Sequence, residues 1–337
     1  MKKNDNDFPK LLTSFFNRYL PGQRGVSGNT IKAYRDTFIM FFRYLNEKEN
    51  TYPEKLTFDI FNFEMIESFL EWLEIDNGNS ISTRNNRLAA IHAFVKYVMM
   101  QKPEILECCK KILEIRSKKT DVKPPVYLSI EELQCILSQP NIKTVQGIRD
   151  LALLSLLYDS GARVQELIDL SWRDIRMETP ATILLKGKGN KSRLVPLMPD
   201  TANIISCYRR SQKEINFEDS IFVNQSRQKL SRSGVEYIIQ KYAQIAGEKL
   251  ASIKEKKITP HIYRHSKGMH LTQADVNIIY IRDLLGHSSV QVTERYARAD
   301  TRAKREALER ASKNILPQST YTKEKKDELL KFLKDLI

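Results

Sequence analysis

Tyr296 stands nine residues after His287 in the stretch Leu285-Gly286-His287-Ser-Ser-Val-Gln-Val-Thr-Glu-Arg-Tyr296-Ala-Arg. Upstream lie His261-Ile-Tyr-Arg264, the hairpin-like Gly187-Lys188-Gly189, and Arg163-Val-Gln-Glu166. A phenolic oxygen can attack phosphorus and conserve the broken bond as a covalent ester. Guanidinium forks can hold both non-bridging oxygens of a phosphate. An ammonium can protonate a departing alkoxide, which is otherwise a poor leaving group. Together these residue types suit the breakage of a nucleic-acid phosphodiester without a metal.

Each piece has a plainer reading when taken alone. Arg163 follows Gly161, a helix terminator, and opens a new short helix through Leu170, where free amide protons favour an anion. Glu166 lies one turn on and can hold the guanidinium, but a surface Arg–Glu pair reads the same way. Lys188 lies between two glycines, a common turn, and lacks the Gly-Lys-Ser/Thr ending of a nucleotide-binding loop. His261 follows Pro260 at a helix start and shares a face with Arg264. His261, His265 and His270 fall in one segment, yet the glutamate of the His-Glu-x-x-His zinc motif is missing, so no metal is expected. His265 and His270 are expected to pack or hydrogen-bond within the fold. Tyr296 is one of fourteen tyrosines and could be a helix-surface residue, although Arg295 and Arg298 flank it.

Composition points the same way as the motifs. The 337 residues exceed what one core usually takes, so two domains are expected. Net charge is +14, which favours a polyanionic partner. Residues 1–120 hold 19 Lys and Arg against 15 Asp and Glu, and the rest hold 36 against 26, so the surplus lies mainly in the second part. Cys108, Cys109, Cys135 and Cys207 form no Cys-x-x-Cys pair and are expected to be core thiols of a reducing compartment. The charged N-terminus has no apolar run behind it, and no stretch approaches the roughly 18 apolar residues of a membrane span. A cytoplasmic protein is the expectation.

The elements that must position these residues are largely helical. Residues 1–115 read as a helical domain. Ile31, Tyr34, Phe38, Phe41, Phe42 and Leu45 recur as one stripe, with Ser27 or Asn29 as cap. Phe63–Ile75 forms another amphipathic helix, and a further one from Ser80 carries Ile81, Leu88, Ile91, Val95 and Val98 on one face. These stripes suit a bundle core. Arg84 and Arg87, in its first turns, fit either a solvated helix end or a DNA contact. Residues 116–127 read as a basic, proline-containing linker in which Lys118 and Lys119 could follow a phosphate backbone. The second domain, 128–316, opens with the capping box Ser129-Ile-Glu-Glu132. It continues through a helix at 144–160, strands at 182–186 and 191–196, and helices at 200–212, 232–246, 261–272 and 277–285. Lys191, Arg193 and Lys267 are further candidate DNA contacts. Residues 317–337 form a tail whose leucine-rich helix needs a partner surface.

The chain resembles the tyrosine recombinases, the family of phage integrases and Xer-type recombinases. The resemblance is carried by Gly161-Ala-Arg163-Val-Gln-Glu166-Leu, Gly187-Lys188-Gly189-Asn-Lys-Ser-Arg-Leu-Val-Pro, His261-Ile-Tyr-Arg264-His265, Leu285-Gly286-His287-Ser and Tyr296. Ser27-Gly-Asn-Thr30-Ile-Lys-Ala-Tyr34 and the phenylalanine-rich helix add the family's core-binding half. It implies a mainly α fold with a small antiparallel β-sheet: a helical core-binding domain followed by an α+β catalytic domain. It also implies that Tyr296 forms a 3′-phosphotyrosine and that Arg163 and Arg264 hold the scissile phosphate. Lys188 would be the general acid, His261 would assist proton transfer at the nucleophile, His287 would hydrogen-bond the phosphate, and Glu166 would support Arg163. Partners would be duplex DNA with inverted repeats and three further copies of the chain, the tail 321–337 docking on a neighbour; no cofactor is implied. A type IB topoisomerase or a non-catalytic DNA-binding regulator would share the fold. Tyr263, where the family usually has an aliphatic residue, and Lys267-Gly268, where an aromatic and a small residue are common, depart from the pattern.

Overall fold

The structure is a computed structural model that describes residues 7–120, 124–187, 191–212, 214–287 and 289–299. The chain divides into two compact units, Met1–Val122 and Lys123–Ile337.

The first unit is helical. Helix α1 (Phe8–Ser14) runs into a π-helical turn (Phe15–Gln23), followed by α2 (Gly28–Glu49), α3 (Phe63–Ile75), α4 (Ile81–Gln101) and α5 (Leu106–Glu114). Of the two candidate caps of α2, Ser27 takes the role, its hydroxyl accepting from Thr30 N at 3.3 Å. The aromatic stripe is core. Phe94 meets Phe38 edge-on at 5.2 Å and Phe41 meets Phe69 at 5.1 Å, the arrangement that ring quadrupoles prefer. Leu88, Ile91, Val95 and Val98 of α4 are buried in it, but Ile81 at the first helical position is exposed.

Two basic residues of α4 are structural and not free contacts. Arg84 is buried, lies 3.3 Å from Glu74, and donates to the Arg116 carbonyl at 3.1 Å. Arg87 reaches across to α2, donating to Ala33 O and Thr37 Oγ1. The start of the expected linker is likewise occupied: Lys118 pairs with Glu74 at 2.7 Å, and its backbone exchanges two hydrogen bonds with the Asn85 side chain. Residues 116–118 thus pack on the first unit, while Lys119 is exposed.

The second unit begins with α6 (Ile130–Leu137), whose Ser129/Glu132 capping box is formed. Then come α7 (Val145–Ser160), α8 (Val164–Ile168), β1 (Ile175–Arg176), β2 (Thr182–Lys186) and β3 (Ser192–Pro196). Helices α9 (Pro199–Arg210), α10 (Arg232–Lys249), α11 (Pro260–Gln273), α12 (Ile278–Leu285) and α13 (Val290–Ala299) complete it. The strands form one antiparallel sheet in the order β1-β2-β3. Ile183, Leu185 and Val195 are buried in the helical core while Leu194 points outward, the two-residue period of a half-covered hairpin. β1 has too few residues for periodicity to reveal it. The expected hairpin closes through Gly187 N donating to Lys191 O at 2.8 Å. Residues 188–190 and 300–337, hence Lys188 and the tail 321–337, lie outside the described residues. No described helix is long and apolar enough to cross a membrane. The four cysteines are free, but only Cys109 is fully buried and Cys207 is exposed, so the expectation of core thiols holds only in part.

Tyr263 packs without exposure between α11 and the rest of this core, and its hydroxyl has no hydrogen-bond partner among the described residues. Burial pushes its pKa well up. A buried, unsatisfied hydroxyl costs roughly 1–3 kcal/mol. Tyr263→Phe should therefore raise the unfolding free energy by about 1 kcal/mol, visible as a higher urea midpoint at unchanged m-value. A lower midpoint would mean that the hydroxyl has a partner.

Candidate active site

The site forms at the C-terminus of α12. The helix closes with Gly286 at φ +63, His287 N donating to Arg282 O and Gly286 N to Asp283 O. That reversal favours glycine, whose lack of a side chain makes the left-handed conformation accessible. A Cβ at Gly286 would also come within 2.8 Å of an Arg193 nitrogen. The carbonyls at the end of a helix have no partner within it and lie at the negative pole of its dipole. Here three successive carbonyls each accept from a different arginine. Leu284 O receives Arg193 Nε at 2.8 Å, Leu285 O receives Arg264 Nη2, and Gly286 O receives Arg163 Nη2 at 3.0 Å.

Glu166 organises the same guanidinium groups from the other side. It accepts from Arg163 N at 2.9 Å and Arg163 Nη1 at 2.7 Å, and takes Arg193 as a fork at 3.1 and 2.7 Å. Burial alone would push its carboxyl up, but the hydrogen bonds from Arg193 and Arg163 outweigh it and hold the pKa below the usual range. Arg264 is buried and also donates Nη1 to Gly161 O at 2.7 Å, just past the end of α7. Burial, then the charges of Arg163 and Arg193, lower its pKa to about 10, so it remains a cation at neutral pH. Three guanidinium charges meet one carboxylate here, leaving a surplus of two positive charges.

Helix α11 presents its functional residues on one face. His261, Arg264, His265 and Gly268 follow the spacing that stacks side chains on one side of an α-helix. Tyr296, from α13, lies against this face with only 2% exposure. A Cβ on Gly268 would come within 2.6 Å of Tyr296 Cε2, so the absence of a side chain there is what admits the ring. The Tyr296 hydroxyl meets His265 Nδ1 at 3.0 Å. His287 stacks on the tyrosine ring at 6.3 Å between centroids, and its Nδ1 meets the buried Thr293 Oγ1 at 2.9 Å. Burial, followed by Arg264, Arg163, His265 and Arg193, lowers the His287 pKa to about 4. The imidazole is neutral at physiological pH.

Arg163, Glu166, Arg264, His287 and Tyr296, separated by up to 133 residues, thus converge. The base of the hairpin reaches the same place, since a Cβ on Gly187 would lie 3.2 Å from Glu166 Oε1. Lys191 beyond it is exposed. His261 is exposed one turn before His265, and it is His265 that touches the tyrosine oxygen. Arg193 is not a free surface cation: each of its three nitrogens donates inside the unit, to Leu284 O or Glu166. Nor is Lys267, whose ammonium pairs with buried Asp159 at 3.2 Å and lies over the Tyr158 ring. Asp159 in turn accepts Met198 N at 2.8 Å, so Lys267 ties α7, α9 and α11 together. Sequence reasoning expected His265 to pack or hydrogen-bond within the fold, as it does, without tying it to Tyr296, and offered Arg193 only as a DNA contact. The helical spacing of His265 from Gly268 and the strand position of Arg193 beside the Gly-Lys-Gly turn were the available signals.

Residues 127–302 match the phage integrase family, and residues 14–102 match the phage integrase N-terminal SAM-like domain. The chain belongs to the phage integrase family. It is a tyrosine-type site-specific recombinase, and its relatives include an integrase/recombinase of Sinorhizobium fredii, 32% identical over 97% of each chain. The tyrosine recombinase XerD of Oceanobacillus iheyensis is 32% identical, covering 85% of this chain and 92% of its own. In fold, the chain is similar to the Tn1549 transposon integrase in complex with transposon right end DNA, with a TM-score of 0.68 at 18% identity, covering 89% of this chain and 97% of that one. It is similar also to the XerH recombinase bound to difH, with a TM-score of 0.64 at 22% identity, covering 91% and 89%.

Two expectations follow from the geometry. Arg193→Ala leaves the buried Glu166 carboxylate to Arg163 alone, and removing one partner of a buried ion pair costs up to about 3 kcal/mol. Arg193→Lys should restore only part of it, because an ammonium cannot reproduce the fork; equal urea midpoints for wild type and Arg193→Ala would contradict the buttress. The depressed His287 pKa means that the folded chain resists a proton which the unfolded chain accepts near pH 6.5. Its stabilising contribution is therefore full above about pH 6.5 and is lost as pH falls towards about 4. NMR of labelled histidine should show one imidazole titrating near pH 4, absent in His287→Gln; a midpoint above 6.5 would reverse the sign.

Proposed function

We propose that the protein cleaves and rejoins duplex DNA through a covalent 3′-phosphotyrosine on Tyr296, and that it does so for a mobile element. The observation that supports this best is the tyrosine hydroxyl, hydrogen-bonded to a histidine, beside a cradle with two surplus positive charges. A phosphodiester brings one negative charge, and attack by a phenolic oxygen develops a second as the five-coordinate phosphorus forms. A site whose charge is already fixed before the reaction stabilises that state without reorganising.

In this reading Arg163 and Arg264 take the non-bridging oxygens. Each has one terminal nitrogen engaged by the end of α12 and the other by Glu166 or Gly161 O, which orients the fork; the second proton of each terminal nitrogen is the donor for phosphate. Neutral His287 contributes a hydrogen bond, and Lys188, next to the Gly187 that lies against Glu166, protonates the 5′ oxygen as it leaves. The guanidinium groups supply the electrostatic role that a divalent ion has in other phosphoryl transfers. The partner is duplex DNA with inverted repeats, synapsed by four protomers whose tails 321–337 dock on neighbours. The basic surplus of the chain and the DNA complexes formed by its structural relatives support the first part. The Sinorhizobium integrase/recombinase and the transposon integrase support the mobile setting.

The test uses nicked suicide duplexes recovered from a randomised library by covalent attachment to the wild-type chain. Tyr296→Phe should bind the recovered duplexes and form no adduct. Lys188→Ala should lose cleavage on ordinary DNA and regain most of it when sulfur replaces the bridging 5′ oxygen, whereas Arg163→Ala and Arg264→Ala should not. Adducts persisting in Tyr296→Phe, or equal rescue of all three variants, would overturn the assignment.

A further inference from the structure

We propose that Lys267 and Asp159 are positioning residues for the phosphate: their buried ion pair fixes α11 against the end of α7 in the register that holds Arg264 in the cradle. The inference rests on the function proposed above and concerns the placement of one of its two phosphate-holding arginines.

Lysine at 267 is one of the chain's departures from the family pattern, and it packs on the last turn of α7. A Cβ at Gly161 would lie 3.7 Å from Lys267 Cγ, so the aliphatic stem passes over the residue that ends the helix. The ammonium lies 5.2 Å from the centre of the Tyr158 ring and 3.2 Å from Asp159 Oδ1. Asp159 Oδ2 accepts Met198 N at 2.8 Å, at the start of α9. Lys267 keeps 12% side-chain exposure and Asp159 5%. Arg264, one turn before Lys267 on the same side of α11, donates to Gly161 O at 2.7 Å. Helix α11 therefore meets the end of α7 at two points, a guanidinium on the Gly161 carbonyl and an ammonium on Asp159. Both cations lie at the negative pole of the α7 dipole.

An ion pair is an inefficient way to fill buried space. Two charges taken out of water are often no more stable than an apolar pair of similar volume. What they add here is direction. Apolar contact is non-directional and resists sliding only weakly. The carboxylate is held on its other side by the α9 backbone, so the ammonium has one best place to meet it. A shift of α11 along α7 would carry Arg264 away from Gly161 O and Leu285 O together. Misplacement by about 1 Å at a reacting centre can cost about 100-fold in rate. The pair thus acts on the reaction through Arg264, without touching DNA.

Neutralising the pair in two steps separates register from stability. Lys267→Met keeps an unbranched stem but leaves the Asp159 carboxylate buried without its cation. The urea midpoint should fall, and cleavage of the suicide duplexes on which wild type forms its adduct should slow. Adding Asp159→Asn removes the stranded charge and retains an acceptor for Met198 N. The midpoint should then return to that of wild type, whereas cleavage at saturating duplex should stay at least about 10-fold slow. Duplex affinity and its salt dependence should match wild type throughout. Sulfur in place of the bridging 5′ oxygen should not rescue the double variant, because its loss lies at the non-bridging oxygens. Wild-type cleavage by the double variant, or rescue by sulfur, would overturn the proposal. A midpoint that stays low would also overturn it and make the pair a support of the fold. Weaker binding with a salt slope reduced by about one would instead make Lys267 a DNA contact. Because wild type must first form the adduct, failure of the broader function is seen separately.

Discussion

Everything at the site depends on how one helix ends. The last carbonyls of α12 cannot be satisfied within the helix, and the chain meets that demand with three arginines drawn from β3, the start of α8 and the middle of α11. Each hydrogen bond serves two purposes. It satisfies an acceptor whose burial would otherwise be costly, and it fixes a guanidinium that would otherwise lose several rotamers on binding a ligand. Arg264 is held by the ends of two helices, α7 through Gly161 O and α12 through Leu285 O. Two helix dipoles thus stabilise the most buried cation of the site. The same closure of α12 carries the chain through Gly286 to His287, so the imidazole is placed by the turn that the arginines secure.

The cradle is deliberately out of balance. Glu166 is one carboxylate among three guanidinium groups; burial first, and then the neighbouring positive charges, lower the pKa of Arg264 and of His287. In the free protein this excess is a cost, of the kind that structures tolerate where a ligand will relieve it. Arg193 keeps the cost bearable. By pairing with both oxygens of Glu166 it holds the carboxylate ionised and leaves Arg163 only one contact to it through its side chain. Arg163 retains 39% side-chain exposure, while Arg193 retains 13%. On the proposed function, Arg163 is the arginine left accessible to the ligand, and Arg193 holds its carboxylate.

Much of this could be read from the sequence because helix boundaries are written locally. Gly161 and Gly286 each end a helix in the left-handed conformation, the Ser129 box caps α6, and the apolar stripes of α2 and α4 have the period of a helix face. What the sequence hid was where a charged side chain goes once the fold exists. Arg84, Arg87, Arg193 and Lys267 look like a basic surface in a linear reading, yet each spends its donors inside its own unit. The acceptors lie 32, 54, 91 and 108 residues away in sequence, beyond any local pattern. His265 was hidden for a related reason. Its neighbour His261 matches the family motif, and only the packing of α13 on Gly268 decides which of the two meets Tyr296.

The departures from the family pattern gain meaning from that packing. Glycine at 268 removes the side chain that would stand between α11 and the tyrosine ring, and the adjacent Lys267 turns away to Asp159. Asp159 also accepts the Met198 backbone, so the pair anchors α11 to the end of α7, where Gly161 O receives Arg264. One helix therefore joins an anchored side to a reactive side. The Lys267–Asp159 contact holds α11 in place along α7, with Arg264 one turn away reaching Gly161 O, while His265 and the space beside Gly268 lie towards Tyr296. Tyr296 itself meets a hydrogen bond from the side of α11, a stacked imidazole and a small cluster with Met269, Ile281 and Leu285. A hydrogen bond of this kind contributes about 1 kcal/mol net. The arginine cradle is tied to the ends of α7 and α12, and Tyr296 is packed on the face of α11 beside it; on the proposed function this fixes the phosphate before the tyrosine oxygen attacks it.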